Sequence, residues 1–86
     1  MKNIIVTVRS KEKGYSYDLE IPIDLEAEKL LDDIVQTLNG CDPSLYLQAV
    51  CSELVCERTG RKLENMQTAE EAGIRNGDFI TLRRKG

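Results

Sequence analysis

Three thiols, five clustered carboxylates and a terminal glycine are the groups in this chain whose types and spacing bear on chemistry. Cys41, Cys51 and Cys56 are odd in number and form no close pair, so they read as free thiols of a reducing compartment and not as a disulfide framework. A Cys, Ser or Thr nucleophile needs a neighbouring base, and the chain has no His. The interval Cys51-x4-Cys56 matches the start of a plant-type iron–sulfur run, but the third Cys is missing at its place and there is no fourth. A zinc site would have to recruit three distant Cys and a carboxylate, against the usual role of Cys as a small buried hydrophobe. Asp24, Glu26, Glu28, Asp32 and Asp33 offer oxygens for calcium or a shared proton. No glycine-bearing calcium loop accompanies them, and a solvated helix face accounts for them as well. The expectation is a protein without cofactor, metal or catalytic centre.

The bulk properties point the same way. Eighty-six residues make one domain, 1–86, and a core too small to hollow out a deep substrate pocket. With 41% hydrophobic and 31% charged residues the chain should fold in water. Twelve Lys and Arg against fifteen Asp and Glu give a net charge of −3, the wrong sign for nucleic acid. The opening Met1-Lys2-Asn3-Ile4-Ile5-Val6 is too short an apolar stretch for a signal peptide, and no run is long enough to insert directly in a membrane, so a cytoplasmic location is expected.

The elements that must carry any function follow from periodicity. Ile4, Val6 and Val8 alternate with polar residues and predict a half-buried strand, from whose polar face Ile5 projects. A polar connection ending in Gly14 leads to a second strand with Tyr15, Tyr17, Leu19, Ile21 and Ile23 inward, weakened near its end by Pro22. Ala27, Leu30, Leu31, Ile34, Val35 and Leu38 then form a helical stripe, with Asp24 as its cap and Asn39-Gly40 as its stop. Residues 41–52 stay open between a short helical turn after Asp42-Pro43 and a strand alternating at Leu45, Leu47 and Ala49. Residues 53–58 predict a third strand, Arg61-Lys62-Leu63 a short fourth, 68–73 one helical turn stopped by Gly73, and 79–82 a last strand entered through Asn76-Gly77-Asp78. A hairpin followed by one crossover helix predicts an α+β fold of the β-grasp plan. It is a mixed sheet of four to five strands covered by one long helix, with the last strand beside and parallel to the first.

The segments Asp24 to Leu38, Leu54-Val55-Cys56-Glu57-Arg58-Thr59-Gly60-Arg61-Lys62-Leu63 and Gly73 to Leu82 resemble ubiquitin-like proteins. Asp18-Leu19-Glu20-Ile21-Pro22 and the closing Ile74 to Leu82 motif resemble more narrowly the small bacterial ubiquitin-like proteins of the YukD and EsaB type. The resemblance implies an accessory or regulatory component of the type VII, or WXG100, secretion system, which binds a protein partner and is not an enzyme. The alternative is a ubiquitin-like modifier or sulfur carrier activated at its C-terminus. Such proteins need a free tail ending Gly-Gly, whereas Leu82-Arg83-Arg84-Lys85-Gly86 carries a single Gly preceded by Lys and extends four residues past the predicted strand. In ubiquitin the partner-binding sheet face is aliphatic; Val55 matches its centre here, and Arg83 replaces another aliphatic position.

The protein-binding residues expected from this register are Ile5, Val55, Phe79 and Arg83, with the apolar three on the solvent side of their strands. Arg83, Arg84 and Lys85, with Arg58, Arg61 and Lys62, form a basic end whose plainer reading is a solvated tail. The sequence leaves the oligomeric state and the identity of the partner open.

Overall fold

A computed structural model of the protein describes residues 2–85. Five strands, β1 (Asn3–Ser10), β2 (Tyr15–Pro22), β3 (Ser52–Cys56), β4 (Arg61–Lys62) and β5 (Phe79–Arg84), form one mixed sheet in the order β2-β1-β5-β3-β4. The hairpin pairs β1 and β2 antiparallel along their whole length, from Asn3 opposite Pro22 to Ser10 opposite Tyr15. The last strand lies beside the first and runs parallel to it, Val8 opposite Ile80, and its other edge pairs antiparallel with β3, Leu54 opposite Leu82. This is the ubiquitin-like β-grasp arrangement that the element order implies.

Helix α1 (Ala27–Cys41) lies across one face of the sheet. Its Leu30, Ile34 and Leu38 meet Val6, Val8, Leu54, Cys56, Ile80 and Leu82, all at most 2% exposed. A fully buried side chain of this size contributes about 1.5–3 kcal/mol of transfer free energy before ordering entropy is subtracted, so this stripe is the main favourable term of the fold. Cys56 is one of these core hydrophobes, while Cys41 and Cys51 are exposed free thiols.

Both ends of α1 differ from the sequence expectation. Asp24 does not cap it: the residue before the helix is Glu26, without a side-chain cap bond. Its first N–H groups are satisfied from elsewhere, Ala27 N donating to Gln67 O at 2.8 Å and Glu28 N to Asn65 O at 3.1 Å. Asn39-Gly40 does not stop it either. The helix runs on to Cys41 and ends at Asp42, whose extended backbone is the conformation imposed on a residue preceding proline. Asn39 instead clasps the next segment: its Nδ2 donates to Leu47 O and its Oδ1 accepts from Leu47 N, both at 2.9 Å.

The open segment 41–52 resolves into two 3-10 turns, Pro43–Leu45 and Ala49–Cys51, joined through Tyr46 in the left-handed region (φ 50°). Residues 68–73 form the single turn expected there, Ala72 N donating to Thr68 O at 3.0 Å. Thr68 and Glu71 cap each other's backbone N–H groups, and Gly73, at φ 75°, lets Ile74 N reach Ala69 O at 3.0 Å.

Candidate functional site

The helix covers one face of the sheet and leaves the other to solvent. Strand alternation puts Ile5, Thr7 and Arg9 of β1, Phe79, Thr81 and Arg83 of β5, and Glu53 and Val55 of β3 on that outer face, continued by Glu57 just past β3. Ile5 and Phe79 are 53% and 46% exposed on neighbouring strands. Ile5 sits where β1 is anchored by the turn before β5: its N–H donates to Asn76 Oδ1 at 2.8 Å, and its carbonyl accepts from Gly77 N at 2.7 Å. Gly77 supplies the positive φ (88°) that this turn requires.

Arg9 organises the centre of the face. Its guanidinium lies 4.4 Å from the Phe79 ring centroid and grips Glu57 at two points, Nε to Oε2 at 2.8 Å and Nη2 to Oε1 at 2.5 Å. Thr81 Oγ1 donates to the same Oε2 at 2.9 Å. The Arg9 hydrogen bonds, helped by Thr81, hold the Glu57 carboxyl below the usual carboxylate range against the opposing effect of its partial burial. A second cluster locks the turn into β5: Arg58 bonds Asp78, with Nη2 to Oδ2 at 3.1 Å, and also donates to Gly73 O, and Arg75 N donates to Asp78 Oδ2 at 2.9 Å. Asp78 is likewise held low, first by Arg58.

Of the residues singled out from sequence, Ile5, Phe79 and Arg83 are exposed and Val55 is not. Val55 lies on the outer face but keeps only 8% of its surface. Thr81 and Lys62 stand opposite it on the two flanking strands. Along its own strand Glu53 and Glu57 are each bound down over the sheet by an arginine, Arg83 and Arg9. Val55 therefore offers little surface on this face. Arg83 is 55% exposed at its side chain, yet its Nε donates to Glu53 Oε2 at 2.6 Å, so its charge is locally compensated. The expected basic end is similarly divided: Arg58 and Arg83 are paired, while Arg61, Lys62, Arg84 and Lys85 make no ion pair among the described residues.

Arg9, Glu57 and Thr81 escaped the sequence reading. Alternation places them on the outer face, but their meeting across β5 depends on a register that no local pattern discloses.

The predicted tail also differs. The last strand continues through Arg84, opposite Ser52, and Lys85 N donates to Cys51 O at 2.9 Å. Residues 83–85 are thus held to the sheet; Gly86 lies outside the described residues. No group of acidic residues or Cys that could hold a metal occurs among the described residues, and no helix there is long and apolar enough to cross a membrane.

Residues 3–82 match the family model described as WXG100 protein secretion system (Wss), protein YukD. The chain belongs to the YukD family. No curated protein matches it in sequence. Among solved structures it is similar to the ubiquitin of Caldiarchaeum subterraneum, with a TM-score of 0.75 and 16% identity over 99% of this chain and 96% of that one. The ubiquitin-like domain of an Arabidopsis thaliana protein gives 0.76 and 18%, over 100% and 81%. That of Plasmodium falciparum Dsk2 gives 0.74 and 15%, over 98% and 100%. At these identities the structures establish the fold alone, and it is the YukD family that links this chain to WXG100, or type VII, secretion as a ubiquitin-like accessory protein.

Proposed function

We propose that this YukD-family protein is a non-enzymatic, non-conjugated protein-interaction module, acting in the cytoplasm on a component of the type VII secretion machinery through its outer sheet face. The observation that carries the reading is the pair Ile5 and Phe79, two large apolar side chains about half exposed on adjacent parallel strands beside the clamped guanidinium of Arg9. Exposed apolar groups on a rigid sheet, rimmed by fixed charges, suit a protein partner. Ile5, Phe79 and Arg83 are the proposed contacts, and Val55 adds little surface to them. Non-conjugation is supported by the pairing of Arg84 with Ser52 and of Lys85 with Cys51, which commits to the sheet the residues that a carrier protein would need as a free arm.

The test is complementation in the bacterium that encodes the protein. A strain lacking the gene should regain export of WXG100 substrates with the wild type and not with Ile5→Asp/Phe79→Asp present at equal level. Export by the double variant at wild-type level would remove the outer face from the reading. Intact mass after incubation with ATP and host lysate should remain that of the free chain, whereas a covalent adduct through its C-terminus would favour the modifier or sulfur-carrier alternative.

A further inference from the structure

Strand β2 is one border of the sheet and has only β1 as a neighbour. The antiparallel register pairs Asn3 with Pro22 through to Ser10 with Tyr15, and Ile23 N donates to Lys2 O just beyond it. Because bonded pairs alternate along an antiparallel ladder, residues 15, 17, 19 and 21 of β2 direct their backbone groups to β1. Ser16, Asp18 and Glu20 therefore direct their N–H and C=O groups outward, a row three residues long with no partner among the described residues.

A hollow of about 410 Å³ runs alongside this row, between β2 and α1. Leu19, Ile21, Leu30 and Ile34 contribute its apolar lining. Its one charged side chain on the helix is Asp33; Asp18 and Glu20 border it on the strand, but their side chains stand on the outer face of the sheet, opposite Thr7 and Ile5, and no Lys or Arg lines it. Asp18 and Glu20 accept only from neutral neighbours, Thr7 Oγ1 at 2.7 Å and Asn3 Nδ2 at 2.8 Å. None of the three carboxylates joins an ion pair among the described residues.

We propose that the β2 border is a second docking site, at the edge of the sheet and two strands away from Phe79, and that its occupant is an extended basic segment of another protein that adds as a sixth strand. The free backbone groups supply the mode of attachment, as in other cases of strand addition to an open sheet border. Residue alternation in the incoming strand dictates its composition. Apolar side chains turn toward the hollow beside α1, and the intervening Lys or Arg side chains stand next to Asp18 and Glu20. The same carboxylates argue against a second copy of this chain, since pairing two β2 strands would bring like charges into opposition. Acidic border residues thus serve both to discourage self-pairing and to select a partner of opposite sign.

The test uses the whole protein and a blocked heptapeptide alternating lysine and valine, with the glutamate–valine counterpart as control, followed by NMR and amide hydrogen exchange. The lysine peptide should shift resonances of β2 and of the facing side of α1 and slow exchange at Ser16, Asp18 and Glu20. The glutamate peptide, and a lysine peptide N-methylated at its strand-pairing amides, should each bind at least about tenfold more weakly. Glu20→Lys/Asp33→Lys, both at exposed positions, should weaken binding to the same extent, while Phe79→Asp, two strands away on β5, should not, which separates this site from the apolar pair on the outer face. Equal binding of the two charge variants of the peptide would overturn the proposal, as would unchanged exchange at the three amides or shifts confined to the outer face. Concentration-dependent protection of the same amides without peptide would overturn it in favour of self-pairing.

Discussion

Arg9 spans β5 to hold Glu57 by two hydrogen bonds, 2.8 and 2.5 Å, while its guanidinium lies over the ring of Phe79. One side chain on the first strand thereby fixes both the end of β3 and the aromatic group offered to solvent on β5. Arginine suits this place because its planar fork meets a carboxylate at two points and stacks on an aromatic ring, which lysine does less well.

The carboxyl of Glu57 titrates lower in the folded than in the unfolded chain. The unfolded state therefore binds the proton first as pH falls, so the stabilisation is complete above the ordinary carboxylate range, near about 4, and is lost as pH drops through the lowered folded value. Glu57→Gln should be less stable than wild type in urea at about pH 7, with the gap narrowing as pH falls below the ordinary carboxylate range. A gap of constant size would show that Glu57 acts by shape and not by charge.

Val55→Asp would place a carboxylate at a position only 8% exposed, between Thr81 and Lys62. The expected loss is on the order of 3 kcal/mol, read from the urea midpoint, so lost partner binding in that variant would report unfolding and not a missing contact. Ile5→Asp, at 53% exposure but opposite Glu20 on β2, should cost much less, about 1 kcal/mol.

The Tyr15 hydroxyl is buried without a hydrogen-bond partner among the described residues, and burial pushes its pKa up from 10.0 to about 12. Above pH 10.0 the unfolded chain loses this proton while the folded chain keeps it, so stability should fall between 10.0 and about 12. At about 1.4 kcal/mol per unit, discounted for the partial exposure of the side chain, the loss is about 1–2 kcal/mol. Tyr15→Phe should match or exceed wild-type stability at neutral pH, because it removes an unpaired polar group, and should lose less stability in this alkaline window. Urea melts across the range, alongside phenolate absorbance, measure both effects.

Asn39→Ala removes two hydrogen bonds that tie residue 47 to the last turn of α1. A cost of about 1–2 kcal/mol is expected, with faster hydrogen exchange at the Leu47 amide. Asn39→Asp keeps the acceptor and loses the donor, so its cost should be similar or greater, as a carboxylate then faces the Leu47 carbonyl. Unchanged exchange at Leu47 in both variants would mean that the two 3-10 turns hold the segment without this clasp.

Elements with an unbroken period were legible in the sequence. Ile4, Val6 and Val8, and the stripe from Ala27 to Leu38, point inward as their spacing implies, and together with the element order they give the parallel pairing of β1 with β5. Features decided by partners distant in sequence were not. The start of α1 is set by carbonyls of Asn65 and Gln67, and its end by Pro43 overriding the Asn39-Gly40 signal. Val55 was placed on its correct face, but its burial comes from side chains on flanking strands, and the Arg9–Glu57 pair joins residues 48 positions apart. The outer face was visible from sequence; what stiffens it was not.

Strand β5 occupies the middle of the sheet although it follows the other four strands in sequence. Until residues 79–84 have left the ribosome, the β1–β2 hairpin and the β3–β4 pair have no shared partner, and the helix has only part of a surface to rest on. Folding of this chain should therefore wait on its final strand, and any nascent or truncated product that stops short of it would display the apolar stripe of α1 to chaperones and proteases.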